Sequence, residues 1–205
     1  SKDHALNELV NLLSIEKYPF RIEGYDVSHM QGTDVVASMV VFTNGVSNKA
    51  EYRKFKTKID HNNDFYNMHE TIKRRLSEKN RKLWGLPSLV LIDGGKGQLD
   101  AAIRARDEAG CSTIPFIGLA KREEQIVLQN KKSGVILNKL SMQGLGGFST
   151  ESEDFTLINL PHNTNLVKLL QRIRDESHRF AVTYHSVLKN KRQTASLLDE
   201  IPGVG

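Results

Sequence analysis

The sequence predicts an α/β fold: a mixed five-stranded sheet with helices on both faces. Three observations carry that reading. Leu89-Val-Leu-Ile is an apolar run of the length of a buried strand; it stops at Asp93 and is followed by glycines at 94, 95 and 97 and then by the helical spacing of Leu99, Ala102 and Ile103. Three strand-like stretches precede it, two of them joined by Asn44-Gly45, a strong hairpin signal. A sustained helical period then occupies the last quarter of the chain.

Taken in order, residues 3–14 form a short amphipathic helix with Leu6, Leu9, Val10 and Leu13 on one face, ended by Tyr18-Pro19. Arg21–Val27 is the first strand, closing at Asp26. Val35–Phe42 is the second, and Tyr52–Lys58 the third, in an antiparallel meander whose alternation at Arg53, Phe55 and Thr57 suits an outer strand. Asn62-Asn63-Asp64 starts a helix with Phe65, Met68, Ile72 and Leu76 as its apolar stripe. Strand four is 89–93, the next helix 98–109 ends at Gly110, and strand five is Ile114–Leu119, leading into Ala120-Lys121-Arg122. Gln125–Leu128 and Gly134–Leu137 read as a small hairpin. Residues 140–156, rich in Gly and Ser, read as a mobile surface loop. A long helix follows over 165–189, its core face running Leu166, Leu169, Leu170, Ile173, Ser177, Phe180, Ala181, Tyr184 and Leu188. Residues 190–198 read as a basic linker into a last short helix. Three meandering strands followed by βα units are the ribonuclease H-like order. The division is then 1–20 as helix and linker, 21–190 as the main domain, and 191–205 as a linker with the start of another module.

Composition narrows the class. The 205 residues are 39% hydrophobic and 26% charged, and the one cysteine, Cys111, excludes an internal disulfide and a cysteine-rich zinc site. No apolar run approaches a membrane span; a reducing cytoplasm suits this usage. With no leading Met and an end inside Ile201-Pro-Gly-Val-Gly205, the chain reads as an excised fragment. The net charge of +5 is unevenly spread: Lys168–Arg192 holds seven basic residues against Asp175 and Glu176. Such a stretch suits a polyanion, nucleic acid first, although solvated faces give the same charge.

The chemistry centres on Asp26 and Asp93. In this order strands one and four are parallel neighbours, so both carboxylates reach one edge of the sheet, where α/β sheets hold ligands. Close carboxylates repel unless a cation lies between them, and hard oxygen ligands suit Mg²⁺ or Mn²⁺. The plainer alternative is a pair of turn caps. His178, at the edge of the long helix's buried face, could ligate the metal or move a proton. Asp64 heads a helix, where a capping role competes with a catalytic one. Gly95 and Lys96 could hold a phosphate at a helix start, but Asp93-Gly-Gly-Lys-Gly-Gln98 lacks the P-loop pattern, which weakens a nucleotide-enzyme reading. Lys121 and Arg122 end strand five at the same edge. His29 and Gln31 follow Asp26. The final Ile201-Pro-Gly-Val-Gly205 is the turn of a helix-hairpin-helix module, which meets phosphates through backbone amides.

Five blocks carry a family resemblance. Gly24-Tyr-Asp26-Val-Ser-His-Met-Gln-Gly32, Leu91-Ile-Asp93-Gly-Gly-Lys-Gly-Gln-Leu99, Gly118-Leu-Ala-Lys-Arg-Glu-Glu124, Arg172-Ile-Arg-Asp-Glu-Ser-His-Arg-Phe-Ala181 and Ile201-Pro-Gly-Val-Gly205 occur in order over nearly the whole chain. Together they resemble the C-terminal half of the UvrC family, nuclease subunits of bacterial UvrABC nucleotide excision repair. The resemblance implies a ribonuclease H-like endonuclease domain, then a truncated helix-hairpin-helix segment. It implies an Asp26–Asp93–His178 triad using Mg²⁺ or Mn²⁺, with Asp64 as an additional acid. It further implies the incision 5′ to a lesion in damaged double-stranded DNA, and work with UvrB, bound through segments upstream of this chain, and the UvrA–UvrB system. Lys96, Lys121, Arg174 and Arg179 would then clamp the strand. A DNA-binding module with an inactive nuclease fold is the competing expectation. Residues 138–160 are longer than the family pattern.

Overall fold

The computed structural model describes residues 2–29, 35–57 and 63–199, with the side chains of 184–189 left aside. Gln31 and the Ile201–Gly205 turn lie outside the described residues, as do the side-chain placements expected for Tyr184 and Leu188.

Among the described residues the sheet has nine strands, where five are expected. They are β1 (Arg21–His29), β2 (Val35–Thr43), β3 (Val46–Ser47), β4 (Arg53–Thr57), β5 (Leu89–Asp93), β6 (Phe116–Ala120), β7 (Gln125–Gln129), β8 (Phe148–Glu151) and β9 (Phe155–Asn159). Their order is β3-β2-β1-β5-β6-β7-β9-β8, with β4 also on β2. β4 falls where the third strand is expected and pairs Val35–Met39 of β2, while the two-residue β3, separated from it by a 3-10 turn at Lys49–Glu51, pairs Phe42 and Thr43. β1, β5 and β6 run parallel, and the outer pairs are antiparallel.

The α-helices among the described residues are α1 (Lys2–Leu13), α2 (Asp64–Arg75), α3 (Glu78–Trp84), α4 (Lys96–Glu108), α5 (Lys139–Gly144) and α6 (Asn165–Asp199). α6 packs on β1 and β2 with α1 beside it, while α2 and α4 pack on each other and on the sheet. The periodicities explain these faces: Leu6, Leu9 and Leu13 of α1, Met68 and Ile72 of α2, and Leu166, Leu169, Leu170 and Ile173 of α6 are all buried. Glu8 of α1 accepts hydrogen bonds from the Leu166 backbone N–H, at 2.8 Å, and from Asn165. This satisfies a free amide at the start of α6 and ties α6 to α1.

Side chains alternate across β1. Glu23 and Tyr25 face α2, where the fully buried Glu23 accepts two bonds from Arg75, at 2.8 and 2.9 Å, and one from the Tyr25 hydroxyl at 2.6 Å. Burial opposes ionisation of Glu23, but the Arg75 hydrogen bonds and charge outweigh it and hold its carboxyl below the usual range.

Three expectations need correction. β7 pairs with β9, not with 134–137, which runs as a connection bonded through Ile136 to the Leu13 carbonyl. Residues 140–156 hold most of α5, all of β8 and the start of β9, so they are no loop. Their Gly and Ser content hid the alternation that buries Thr156 and Ile158 against β7. Finally, α6 continues through 190–198, where a linker was expected. That stretch has no Gly or Pro, and its Lys, Arg, Gln, Ala and Leu favour helix even with exposed side chains. α3 was not foreseen from the sequence; Ser77 caps it by accepting from the Asn80 N–H.

Candidate active site

The parallel register of β1 and β5 pairs Gly24 with Leu91 and Tyr25 with Ile92, so Asp26 and Asp93 sit at equivalent positions one residue further on. Both share the face of Gly24, which is the face α6 covers. α6 can lie close because Gly24 has no side chain: a Cβ there would be 2.5 Å from Ile173 Cγ2. Further along, the buried Ser38 of β2, the cross-strand partner of Asp26, places its hydroxyl 3.0 Å from the Ser177 hydroxyl of α6. Ser38 also donates to the Ser177 carbonyl at 3.2 Å. These contacts fix the turn of helix that carries His178.

His178 Nε2 lies against Asp93 Oδ2 in a short hydrogen bond and 3.4 Å from Asp26 Oδ2. One ligand atom from each of Asp26, Asp93 and His178 falls within 4.8 Å of the other two. Among the described residues they form the group of three or more His, Cys, Asp or Glu gathered this tightly. The structure thus brings together the three side chains that the sequence singled out.

The electrostatics ask for a cation. Asp93 is 8% exposed, and its Oδ1 is buried without a hydrogen-bond partner. A carboxylate oxygen left in that state is costly unless a further positive group meets it. Burial, and then the charge of Asp93, push Asp26 up to about 6; His178, Lys121 and the Val27 backbone N–H act in the opposite direction. Two carboxylates and an imidazole, with one oxygen unpartnered, fit Mg²⁺ or Mn²⁺.

The remaining candidates divide. Lys121 stands in the turn after β6, whose Leu119 pairs with Asp93, and its charge acts on Asp26. Arg122 is exposed in the same turn. Gly95 is the N-cap of α4 and Lys96 its first residue, so the helix start faces the sheet end that carries Asp93. Gly94 adopts φ +150°, with the Gln98 side chain folded where a Cβ would stand. Lys96 Nζ lies 5.9 Å from the Phe155 ring centroid. Asp64 is outside the tight cluster and forms a short pair with His29. Capping of α2 belongs to Asn63, whose side chain accepts from the Phe65 and Tyr66 N–H groups, so the capping role weighed for Asp64 goes to its neighbour.

Arg174 and Arg179 are occupied by carboxylates. Arg174 pairs closely with Glu124 and, at 3.2 Å, with Asp175. Arg179 holds Glu176 at 2.6 and 2.8 Å, and Tyr52 donates to the same carboxylate at 2.8 Å. With Phe42, Val46 and Arg172, Arg179 lines a groove between α6 and the β2–β3 turn. Sequence reasoning placed Ser177 on the buried face of the long helix without giving it a role, and it missed Ser38, a small residue in an apolar strand, and Glu124, which has no partner until the fold supplies Arg174.

The family model of the UvrC RNase H endonuclease domain matches residues 10–182. The UvrABC system protein C of Thermotoga maritima is 40% identical over 204 residues, covering 100% of this chain and 31% of that protein. The UvrABC system protein C of Deinococcus radiodurans is 38% identical over 205 residues, covering 99% of this chain and 32% of that protein. The chain thus spans about a third of the length of these curated relatives. Among solved structures, endonuclease V from Bacillus subtilis aligns over 89% of this chain and 91% of its own at 14% identity, with a TM-score of 0.41, too low to bear on function. A match that takes in β1, β5 and the turn of α6 bearing His178 makes this chain a member of the UvrC RNase H endonuclease domain family.

Proposed function

We propose that the chain is the catalytic domain of a DNA endonuclease that cuts one strand 5′ to a lesion during nucleotide excision repair. Asp26 and Asp93 hold Mg²⁺ or Mn²⁺, with His178 as a third ligand or as the group that moves a proton. The cation, when bound, lowers the pKa of water and offsets charge on the phosphoryl oxygens. The chain's own part is positional. Asp26 and Asp93, on adjoining central strands, fix where the cation would sit; water would attack the phosphorus in line and the P–O3′ bond break, the proton passing to the departing oxygen, which leaves a 3′-hydroxyl and a 5′-phosphate. Lys96, Lys121, Arg122 and the amides at Gly95 draw the flanking phosphates toward the sheet end. Asp64, paired with His29, orients the first turn of α2 beside the site. Damaged duplex DNA is the substrate, with UvrB and the UvrA–UvrB system as partners reached through segments outside this chain, in the cytoplasm. No helix among the described residues is long and apolar enough to cross a membrane, which is compatible with that placement.

The observation that carries this reading is the buried, unpartnered Asp93 Oδ1 inside the Asp26–Asp93–His178 cluster. The test is Mn²⁺ titration by calorimetry, paired with nicking of a lesion-bearing duplex. The chain should bind Mn²⁺ and nick, and Asp93→Asn should lose both while keeping its circular dichroism spectrum. Undiminished nicking by Asp93→Asn would overturn the assignment. Failure of the unaltered chain to bind Mn²⁺ would favour an inactive DNA-binding module.

A further inference from the structure

The turn between β6 and β7 is held in an unusual shape. Ala120 pairs with Gln125, so Lys121–Glu124 form the whole connection. Its last two residues, Glu123 and Glu124, both have left-handed backbones, with φ +65° and +54°. Neither is Gly, Asn or Asp, the residues that tolerate this region, so the conformation is strained and must be enforced by its surroundings. Two contacts enforce it. Glu124 forms a close ion pair with Arg174 of α6, the two side chains being only 15% and 14% exposed. His162 Nε2 donates to the Glu123 carbonyl at 3.3 Å. Arg174 lies one helical turn before His178, and Lys121, at the other end of the turn, lies two residues past the partner of Asp93.

From this geometry we infer that Glu124 and Arg174 form a latch: their ion pair positions the β6–β7 turn against α6 so that the Lys121 ammonium is presented to a phosphate at the Asp26–Asp93–His178 site. Arg174 is then a positioning residue that acts through Glu124 and Lys121, not a phosphate contact. The inference deepens the endonuclease reading and rests on it. A half-buried ion pair flush with a strained turn has a further consequence: removing either partner should release the turn rather than the fold, since β6, β7 and α6 keep their own apolar contacts.

The test uses the whole chain with Glu124→Gln, Arg174→Gln, Lys121→Ala, the double variant Lys121→Ala with Glu124→Gln, and the charge swap Glu124→Arg with Arg174→Glu. Hydrogen exchange of the 121–124 amides should accelerate by about tenfold or more in each latch variant, with β6 and β7 unchanged, and should return toward normal in the swap. In nicking assays with Mn²⁺, Glu124→Gln should lower kcat as Lys121→Ala does, and the double variant should be no worse than Lys121→Ala alone. Unchanged exchange at 121–124 overturns the inference. So do multiplicative losses in the double variant, or weaker DNA binding by Arg174→Gln with no effect of Glu124→Gln, which is the signature of a direct phosphate contact. The exchange measurement needs no cleavage, so the latch can stand or fall apart from the endonuclease reading.

Discussion

Gly24 of β1 and Ile173 of α6 occupy the same space in turn: a Cβ on Gly24 would fall 2.5 Å from Ile173 Cγ2 and 3.1 Å from Val40 Cγ2. The candidate site depends on that closeness, because the helix that rests on Gly24 carries His178 toward Asp26 and Asp93. Gly24→Ala should therefore push α6 off the sheet, costing about 1–3 kcal/mol by the usual penalty for overpacking. Mn²⁺ affinity should fall more than stability suggests, since an imidazole moved by an ångström no longer reaches the cluster. Thermal unfolding and Mn²⁺ calorimetry on this variant check it; full-strength binding would show that α6 is not held by that contact.

Asp26 gives a pH-dependent prediction for the metal-free chain. Its folded-state pKa is raised from 3.8 to about 6. The neutral carboxyl is therefore favoured by folding, and that contribution is complete below about pH 4 and lost as pH rises through about 6. Asp26→Asn, which is neutral at every pH, should match the unaltered chain near pH 4 in EDTA and exceed it by up to about 3 kcal/mol at pH 7.5. The same variant should abolish nicking. Denaturant melts at the two pH values decide it, and a destabilised variant at pH 7.5 would count against the burial and charge argument.

Glu23 and Arg75 test the opposite side of the sheet. Arg75→Leu leaves a buried carboxylate without its bidentate partner and should cost roughly 3–5 kcal/mol. Glu23→Gln with Arg75→Met, which removes both charges, should cost less than the single change. Because Glu23 is held below its ordinary value, the stability it contributes is present above about pH 4.5 and is lost as pH falls below that. Urea melts of the three chains between pH 4 and 7 check both statements.

Glu123 offers a gain. Its φ of +65° suits glycine, and its side chain is not the one paired with Arg174. Glu123→Gly should raise stability by about 1 kcal/mol by removing left-handed strain, partly offset by the added freedom of the unfolded chain. A calorimetric Tm comparison reads this directly; a lower Tm would mean the turn is not strained.

Lys96, Lys121 and Arg122 should each contribute to the salt dependence of DNA binding. Replacing any one by Ala should lower the slope of log affinity against log salt by about 1, with similar loss on all sequences. Arg179, held by Glu176 and facing the groove between α6 and the β2–β3 turn, should leave that slope nearly unchanged. Fluorescence anisotropy at several salt concentrations separates the two groups.

The sequence by itself determined the central order: leading meander strands, then βα units, with Asp26 and Asp93 on the two strands that adjoin, although β1 runs on past Asp26 to His29. It did so because buried strands and amphipathic helices write their periods directly into local residue choice. Asp26 and Asp93 stand side by side because the parallel register pairs Tyr25 with Ile92, one residue before each. Tertiary structure alone decided the rest. That β7 takes β9 as partner, making residues 140–156 part of the sheet, depends on which distant edge is free, a choice local composition does not encode. That Arg174 meets Glu124 depends on where α6 sits, and a charge's partner is set by distances across the fold, not along the chain.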